Sequence, residues 1–341
     1  MGEKSSSVLI KYSEKIETIF LVAISFSIYF IFNAPAQTLV RKNIAVSVPA
    51  KAGVYFDGEI QQVQKSLIIK AASSIKAATY TYSAGVLSEL LEKRKGEGLD
   101  VKVVAGNNKD NSMPGFDFSI FKTKYGIYHP KFMVIDSKDV LISSSNFSSD
   151  DRSSNSAVLF LDVPQTAEIL ENEIDNISSG VIEKRCSKGC ETEIGTIFFN
   201  PGKGCMAIKN ELLKSENSIK AAVYTVTTKN PVITGLKNRI KNRIGVDMIF
   251  DDWKGDDRTI VNKRAFQYLS SIGADIKYDE NPQLDKTLFH HKFAVIDHST
   301  TVFGSMNWTS SGCYRNRELI VISKDPEIAK EFEDFFDNYK R

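Results

Sequence analysis

Phe289-His290-His291-Lys292-Phe293-Ala294-Val295-Ile296-Asp297, followed by Gly304-Ser305-Met306-Asn307-Trp308, decides how this chain is read. As spacing it is His-x-Lys, four residues, Asp, six residues, Gly-Ser-x-Asn. The apolar run Phe293 to Ile296 predicts a short buried strand. On a strand, His290 and Lys292 lie two apart and leave from the same face. A second run, Thr301 to Phe303, ends in Gly304-Ser305 and is placed to pair beside the first. That pairing would bring Ser305 and Asn307 to the end of the sheet that carries His290 and Lys292. An imidazole, an ammonium, a hydroxyl and an amide would then converge, a set suited to a phosphodiester.

The pattern occurs twice. Tyr128-His129-Pro130-Lys131-Phe132-Met133-Val134-Ile135-Asp136 is followed after six residues by Ser143-Ser144-Ser145-Asn146. His129, Lys131, Asp136, Ser144 and Asn146 match His290, Lys292, Asp297, Ser305 and Asn307 at identical internal spacing. On these residues the chain resembles the phospholipase D superfamily, whose signature is the paired HKD motif. The wording HHKFAVID and GSMNWT is similar to the small nuclease-like and cardiolipin-hydrolase-like branch. The resemblance covers roughly residues 50 to 341.

The repeat extends beyond the motifs. Ser74 to Tyr82 (SIKAATYTY) matches Ser218 to Val226 (SIKAAVYTV), and each reads as a helix end running into a strand. A helix pattern follows in each copy, Val86 to Arg94 and Val232 to Ile240. A strand comes next, Val101 to Ala105 and Val246 to Phe250. Each copy closes with a strand, Val158 to Leu161 and Leu319 to Ile322. An amphipathic helix then ends each copy, Pro164 to Ile177 and Pro326 to Tyr339. Alternating strands and helices predict an α/β architecture of two repeated modules, each a mixed sheet flanked by helices. The boundaries expected are 50–177 for the first module, 178–192 for a polar linker and 193–341 for the second. The second copy inserts a helix at Arg264 to Ile272 and a strand at Ala274 to Tyr278. The first is expected to carry a loop there, Asn107 to Lys124. The Gly-rich opening of the second module, Asn200 to Cys205, lacks the Gly-Lys-Ser/Thr ending of a phosphate-binding P-loop.

Composition sets the class and little more. An apolar share of 42% and a charged share of 25% belong to an ordinary globular protein. Net charge is +2, so no overall basic field argues for nucleic acid, although one groove can be basic in a neutral protein. Two of the four His occupy the motifs; His291 and His298 flank them and are expected to be bystanders. Cys186, Cys190, Cys205 and Cys313 form no Cys-x-x-Cys pair, which speaks against a zinc site. Disulfides are expected only if the chain is exported, with Cys186 to Cys190 the place to look; free thiols are the other reading.

Residues 1–40 read as a signal peptide or a membrane anchor. Ile19 to Phe32 is strongly apolar, is preceded by Lys11 and Lys15, and is followed by Ala34-Pro35-Ala36. The small-x-small site fits cleavage. The long, partly acidic start fits an anchor, and the uncharged stretch is just long enough to span a bilayer. An exported or membrane-anchored protein is expected either way; a buried core helix is the bland alternative.

The resemblance implies chemistry without a cofactor. Two motifs face each other across a pseudo-twofold axis, and hydrolysis runs through a phosphohistidine. One neutral His attacks phosphorus and one protonated His serves the leaving group. Lys131 and Lys292 supply positive charge to the non-bridging oxygens. Ser144, Asn146, Ser305 and Asn307 are expected to bind phosphate by hydrogen bonds. Asp136 and Asp297 complete the catalytic signature, with bracing of the strand turn as the other role open to them. No acidic cluster able to hold Mg²⁺ or Ca²⁺ occurs in either motif, so no metal is expected.

The copies are unequal. The superfamily often places a carboxylate about eleven residues past the motif Asn, where it could hold a His ring. Glu318 fits that place in the second copy, and the same count reaches Ala157 in the first. That count assigns Glu318 to His290 and points to His290 as the nucleophile; the order common in the superfamily, with His129 as nucleophile, is the other reading. The leading expectation is a phosphodiesterase acting on phospholipid, membrane-associated and needing no obligate protein partner. An endonuclease cutting DNA or RNA is the rival. A phosphatidyl transferase of the cardiolipin-synthase kind is third, and an inactive phosphate clamp is last.

Overall fold

The computed structural model describes residues 52–111, 113–147, 153–251, 257–279 and 288–340. The apolar stretch at 1–40, expected as a leader or anchor, lies outside them. Among the described residues no helix is long and apolar enough to cross a membrane.

The first half of the chain runs β1 (Ala52–Phe56), α1 (Gly58–Lys70), β2 (Ser74–Tyr82), α2 (Val86–Gly96), β3 (Asp100–Asn108), β4 (Asp117–Ile120), β5 (Phe132–Ile135), β6 (Asp139–Ser143), β7 (Ser156–Phe160) and α3 (Pro164–Ser178). The second runs β8 (Cys190–Thr192), β9 (Gly195–Asn200), α4 (Gly204–Lys214), β10 (Ser218–Val223), α5 (Pro231–Lys241), β11 (Gly245–Phe250) and α6 (Asp257–Ser271). It continues through β12 (Asp275–Tyr278), β13 (Lys292–Ile296), β14 (Thr300–Gly304), α7 (Ser310–Tyr314), β15 (Glu318–Ser323) and α8 (Pro326–Lys340).

Two mixed sheets result. The first has the order β1-β7-β6-β5-β2-β3-β4; the second, read from the other edge, is β8-β9-β15-β14-β13-β10-β11-β12. Strand for strand the orders agree, with β8 added outside β9. β2, β3 and β4 run parallel to one another, as do β10, β11 and β12. The other pairs are antiparallel, including β5 with β2 and β13 with β10. Val/Ile-rich strands buried on both faces explain the continuous apolar runs of the motif strands.

One apolar cluster joins the facing sides of both sheets. Phe132, Val134 and Val158 come from the first, Phe293, Val295 and Val321 from the second, with Leu170 and Ile174 of α3 and Phe332 and Phe336 of α8. The alternate residues of β13, Ala294 and Ile296, turn to a second cluster beneath α4, α5 and α6. A period of two thus sends each motif strand's side chains to opposite layers. The terminal helices dock alike. Lys76 of β2 reaches Asp175 of α3 (3.3 Å), and Lys220 of β10 reaches Glu333 and Asp337 of α8 (2.6 and 2.7 Å).

Three local expectations change. Ser74–Tyr82 is strand throughout, not a helix end running into one. The stretch 107–124 is more than a loop, because Asp117–Ile120 forms β4, parallel to β3 in the place β12 holds beside β11. Phe118 anchors it, its ring 4.7 Å from that of Tyr82. The polar linker ends in β8, which pairs with β9. The cysteines form two disulfides, Cys186–Cys190 and Cys205–Cys313; the second ties α4 to α7.

Candidate active site

Both His-containing segments cross to the other half of the molecule. The His129 N–H donates to the Arg317 carbonyl (2.9 Å), and the Arg317 N–H donates to the Ile127 carbonyl (2.8 Å). Reciprocally, the Ser154 N–H donates to the Leu288 carbonyl and the His290 N–H to the Ser154 carbonyl, each at 2.8 Å. The motif strands β5 and β13 lie in different sheets, and these short parallel bridges join their upstream ends into one site. A buried bidentate pair, Arg317 with Glu173 of α3 (2.9 and 2.5 Å), locks the first seam from behind.

Each imidazole is then oriented by a residue from the opposite half. His129 Nδ1–H donates to Glu318 Oε2 at 2.7 Å. A carboxylate only accepts, so the proton sits on Nδ1 and Nε2 keeps its lone pair. His290 Nδ1 lies 3.1 Å from Asn155 Oδ1. The amide's orientation follows from its other partners: Asn155 Nδ2 donates to the Ser153 carbonyl (2.9 Å), and Oδ1 accepts from Ser144 Oγ (2.9 Å). His290 therefore also carries its proton on Nδ1.

This overturns the assignment of Glu318 to His290. It also moves the matching position in the first copy. Pairing of β14 with β15 sets Gly304 opposite Ile320, and pairing of β6 with β7 sets Ser143 opposite Ala157. Glu318 therefore corresponds to Asn155, two residues short of the expected Ala157. The first copy is shorter between its motif Asn and the following strand, and counting residues across that gap misplaced the match.

The lysines sit beside their own histidines. Lys131 Nζ donates to the His129 carbonyl (2.9 Å) and Lys292 Nζ to the His290 carbonyl (2.6 Å). Tyr80 lies under the first pair, its ring 5.4 Å from His129 and 5.8 Å from Lys131 Nζ. Tyr224 does the same for the second, at 4.7 Å from His290 and 5.1 Å from Lys292 Nζ. The tyrosine faces lend cation–π stabilisation to buried ammonium groups. All four His and Lys side chains are buried.

Other signature residues act away from substrate. Asp136 and Asp297, for which both a catalytic role and bracing of the strand turn are open from the sequence, lie at the far ends of β5 and β13, about 16 Å along the strand from the lysines at ordinary strand rise. Each takes up positive φ (52° and 49°), as do Ser137 and His298 after them, the handedness a tight hairpin turn requires. Asp136 accepts the backbone N–H groups of Ala72, Ser73 and Ser74; Asp297 accepts those of Glu216, Asn217 and Ser218. They fasten the start of β2 and β10 to the motif hairpin.

Ser144 and Ser305 were expected to bind phosphate. Their hydroxyl protons go instead to Asn155 Oδ1 and Glu318 Oε2 (2.9 and 2.6 Å), and their oxygens accept the N–H of Ser156 and Leu319. They aim the two groups behind the rings. Asn146 Oδ1 accepts from the Thr81 N–H (3.2 Å), while Asn307 Oδ1 is buried with no hydrogen-bond partner among the described residues. His298 is the bystander expected, on the surface against Glu333 (2.7 Å). His291 is not: it is fully buried and bonded to Ser154 (2.8 Å).

The family described as cardiolipin synthase, PLD-like domain matches residues 208–340. Mitochondrial cardiolipin hydrolase of Homo sapiens is 31% identical over 81 residues, 24% of this chain and 31% of that protein. A phospholipase D of Rickettsia conorii is 27% identical over 137 residues, 39% of this chain and 63% of that protein. These matches support this chain's membership of the phospholipase D superfamily. Its fold is shared with phosphatidylserine synthase of Haemophilus influenzae, at TM-score 0.64 and 14% identity, covering 84% of this chain and 86% of that one. The matches span about a third to two thirds of these curated relatives' own lengths.

The electrostatics of the two rings differ. Burial is the largest influence on both and opposes a positive charge. His129 falls to about 4, because desolvation and the ammonium groups of Lys131 and Lys292 outweigh the pull of Glu318. His290 falls well below the ordinary value through desolvation, Lys292 and Lys131, and the group behind its ring is an amide rather than a carboxylate. Glu318 is ionised. Burial alone would raise it, but the His129 ring, Lys131 and the Ser305 hydroxyl draw it below the usual range. Among the described residues no group of three or more His, Cys, Asp or Glu is arranged to hold a metal ion.

Sequence reasoning missed Asn155, Tyr80 and Tyr224. The tyrosines were visible as identical positions of the repeat on the strand flanking each motif strand. Asn155 carried no such sign, because its counterpart is a different residue at a different offset.

Proposed function

We propose that the chain is a phosphodiesterase of the phospholipase D type that hydrolyses phospholipid, with His129 as nucleophile and His290 as acid and then base. The observation that carries the proposal is the Glu318 carboxylate behind His129 Nδ1. It fixes the tautomer that leaves Nε2 free to attack, and it stabilises the positive ring that forms as the N–P bond is made. This restores the order common in the superfamily.

Each step balances. His129 Nε2 bonds to phosphorus as the bond to the leaving alcohol's oxygen breaks. That oxygen takes a proton from His290 Nε2. His290, mostly neutral in the free enzyme at neutral pH, takes this proton from solvent as the anionic phosphodiester settles between the lysines. Water then attacks the phosphohistidine, giving its proton to His290 as the N–P bond breaks, and both rings return to their starting states. Lys131 and Lys292 hold the non-bridging oxygens throughout.

The names of the relatives support a lipid substrate, as does the apolar run Ile19 to Phe32, which would place the enzyme at a membrane. Release of headgroup from labelled phosphatidylglycerol or cardiolipin vesicles, run beside a nicking assay on plasmid and oligonucleotide, tests the reading. Headgroup release without nicking is expected. Nicking without headgroup release makes it a nuclease. Transfer to an added lipid alcohol in preference to water makes it a phosphatidyl transferase. Rapid denaturation during turnover should leave the phosphate adduct on His129; an adduct on His290 overturns the assignment of roles.

A further inference from the structure

Asp57 stands where a helix N-cap is expected, just before α1. An Asp there normally turns its carboxylate onto the first N–H groups of the helix. This one makes no such bond. Its backbone is at φ 53° and ψ −125°, a conformation that L residues rarely adopt. The conformation turns the side chain across the seam of β1 and β7 instead. There Oδ1 accepts the Asn155 N–H (3.0 Å) and the Ser154 hydroxyl (2.8 Å). The Asp57 N–H in turn donates to the Asn155 carbonyl (3.1 Å).

Both residues that Asp57 holds act on His290. Ser154 bonds the backbone on either side of Phe289, so it sets where the His290 main chain lies. Asn155 carries the oxygen on His290 Nδ1. Behind them, His291 Nε2–H donates to Ser154 Oγ (2.8 Å) and completes a chain from His291 through Ser154 to Asp57. The ring of His291 is wedged among Phe56, Phe289 and Phe335, so this end of the chain is fixed by packing. The first half-site is held differently. There Asn200 occupies the place of Asp57 by strand register, and its amide donates to the Gly312 carbonyl, away from Glu318.

We infer that Asp57 is a positioning residue for the leaving-group acid: through Ser154 and Asn155 it fixes the ring of His290 while leaving the His129 half-site untouched. The inference rests on the reading of His290 as the acid. It predicts damage that depends on the leaving group, because a phenolate departs without a proton and an alkoxide does not.

The test compares the burst rate of adduct formation on two phosphodiesters of one phosphatidyl group, a p-nitrophenyl ester and a simple alkyl ester. Asp57→Gly removes the carboxylate and suits the positive φ, so the backbone is not penalised. It should slow the alkyl ester at least ~10-fold and the p-nitrophenyl ester less than ~3-fold, within the range of general acid catalysis. Asp57→Asn, which keeps an acceptor oxygen, should recover most of the alkyl rate. His290→Ala is the reference and should show the same selectivity, only larger. Equal slowing of both esters by His290→Ala refutes His290 as the acid. Selective slowing by His290→Ala with equal slowing, or none, by Asp57→Gly refutes the role of Asp57. Failure of Asp57→Asn to recover the rate refutes the hydrogen bonds as its means.

Discussion

At His129 the group behind the ring is a carboxylate; at His290 it is an amide. Almost everything else about the two half-sites is alike. Strand order, hairpin turn, lysine, tyrosine and motif serine superpose residue for residue through the repeat. In each, the serine donates to the group behind the ring and accepts the next strand's N–H. The difference lies in one charge. A carboxylate stabilises a positive imidazole lastingly, which suits a ring that carries phosphorus between two steps. An amide orients the ring without storing its charge, which suits one that must give a proton away and take it back. The two frames are closely alike, and in the proposed mechanism the side chain behind each ring divides the labour.

The largest effect expected comes from removing either ring. His129→Ala and His290→Ala should each lower turnover of a phospholipid on the order of 10⁴-fold or more, and the double variant little further, because the two act as a unit. Additive losses, measured as kcat/KM in the single and double variants, would break the picture of one shared site.

Glu318→Gln should come next, lowering kcat about 10²–10⁴-fold, the scale of losing a positioned acid–base partner. Asn155→Ala should cost less, because no charge is lost from behind the ring. The reverse ranking would assign the covalent step to His290. Steady-state kinetics, with adduct trapping in each variant, decides between them.

The pH dependence separates the rings further. Both sit below the ordinary imidazole value, His129 at about 4 and His290 lower than usual by burial and the two lysines. The form that reacts has His129 neutral and His290 protonated, a minor form of the free enzyme at neutral pH, so kcat/KM should peak on the acid side of pH 6.5 and fall toward pH 8. Glu318 raises His129, so Glu318→Gln should move the limb belonging to His129 to lower pH. A limb that stays in place would show that the carboxylate does not act on that ring.

The smallest effect concerns stability. The native state resists protonating His129, His290 and His291, whereas the unfolded chain protonates them near 6.5. The unfolded state therefore binds more protons, and stability is full above about pH 6.5 and lost as pH falls toward 4. Urea midpoints at pH 7, 6 and 5 should decline in that order, and His129→Gln and His290→Gln should each flatten the slope.

Much of this was legible in the chain itself. Two copies of a five-residue polar signature at one spacing, each on an apolar run, carried the superfamily, the α/β class and the motif strands. That reading depends on short-range rules, period two on a strand and one spacing repeated in both hairpins, which the chain writes locally. The same rules showed residues sharing a face but not what stood opposite them. Glu318 was picked out correctly as a carboxylate aimed at an imidazole and then given to the wrong ring. Its partner lies 189 residues away, across a seam formed only when the two sheets meet. Asp136 and Asp297 belong to the signature, yet their carboxylates tie down neighbouring strands far from the lysines, a fact of the turn's handedness and the adjacent strand. Asn155 and Asp57 bore no mark at all. The sequence by itself determined the two frames and the chemistry they can hold, because each frame is a local pattern. Only the tertiary structure decided which side chain backs which histidine, because hydrogen bonds across the seam depend on the packing of two halves and on a two-residue difference in the length of one loop.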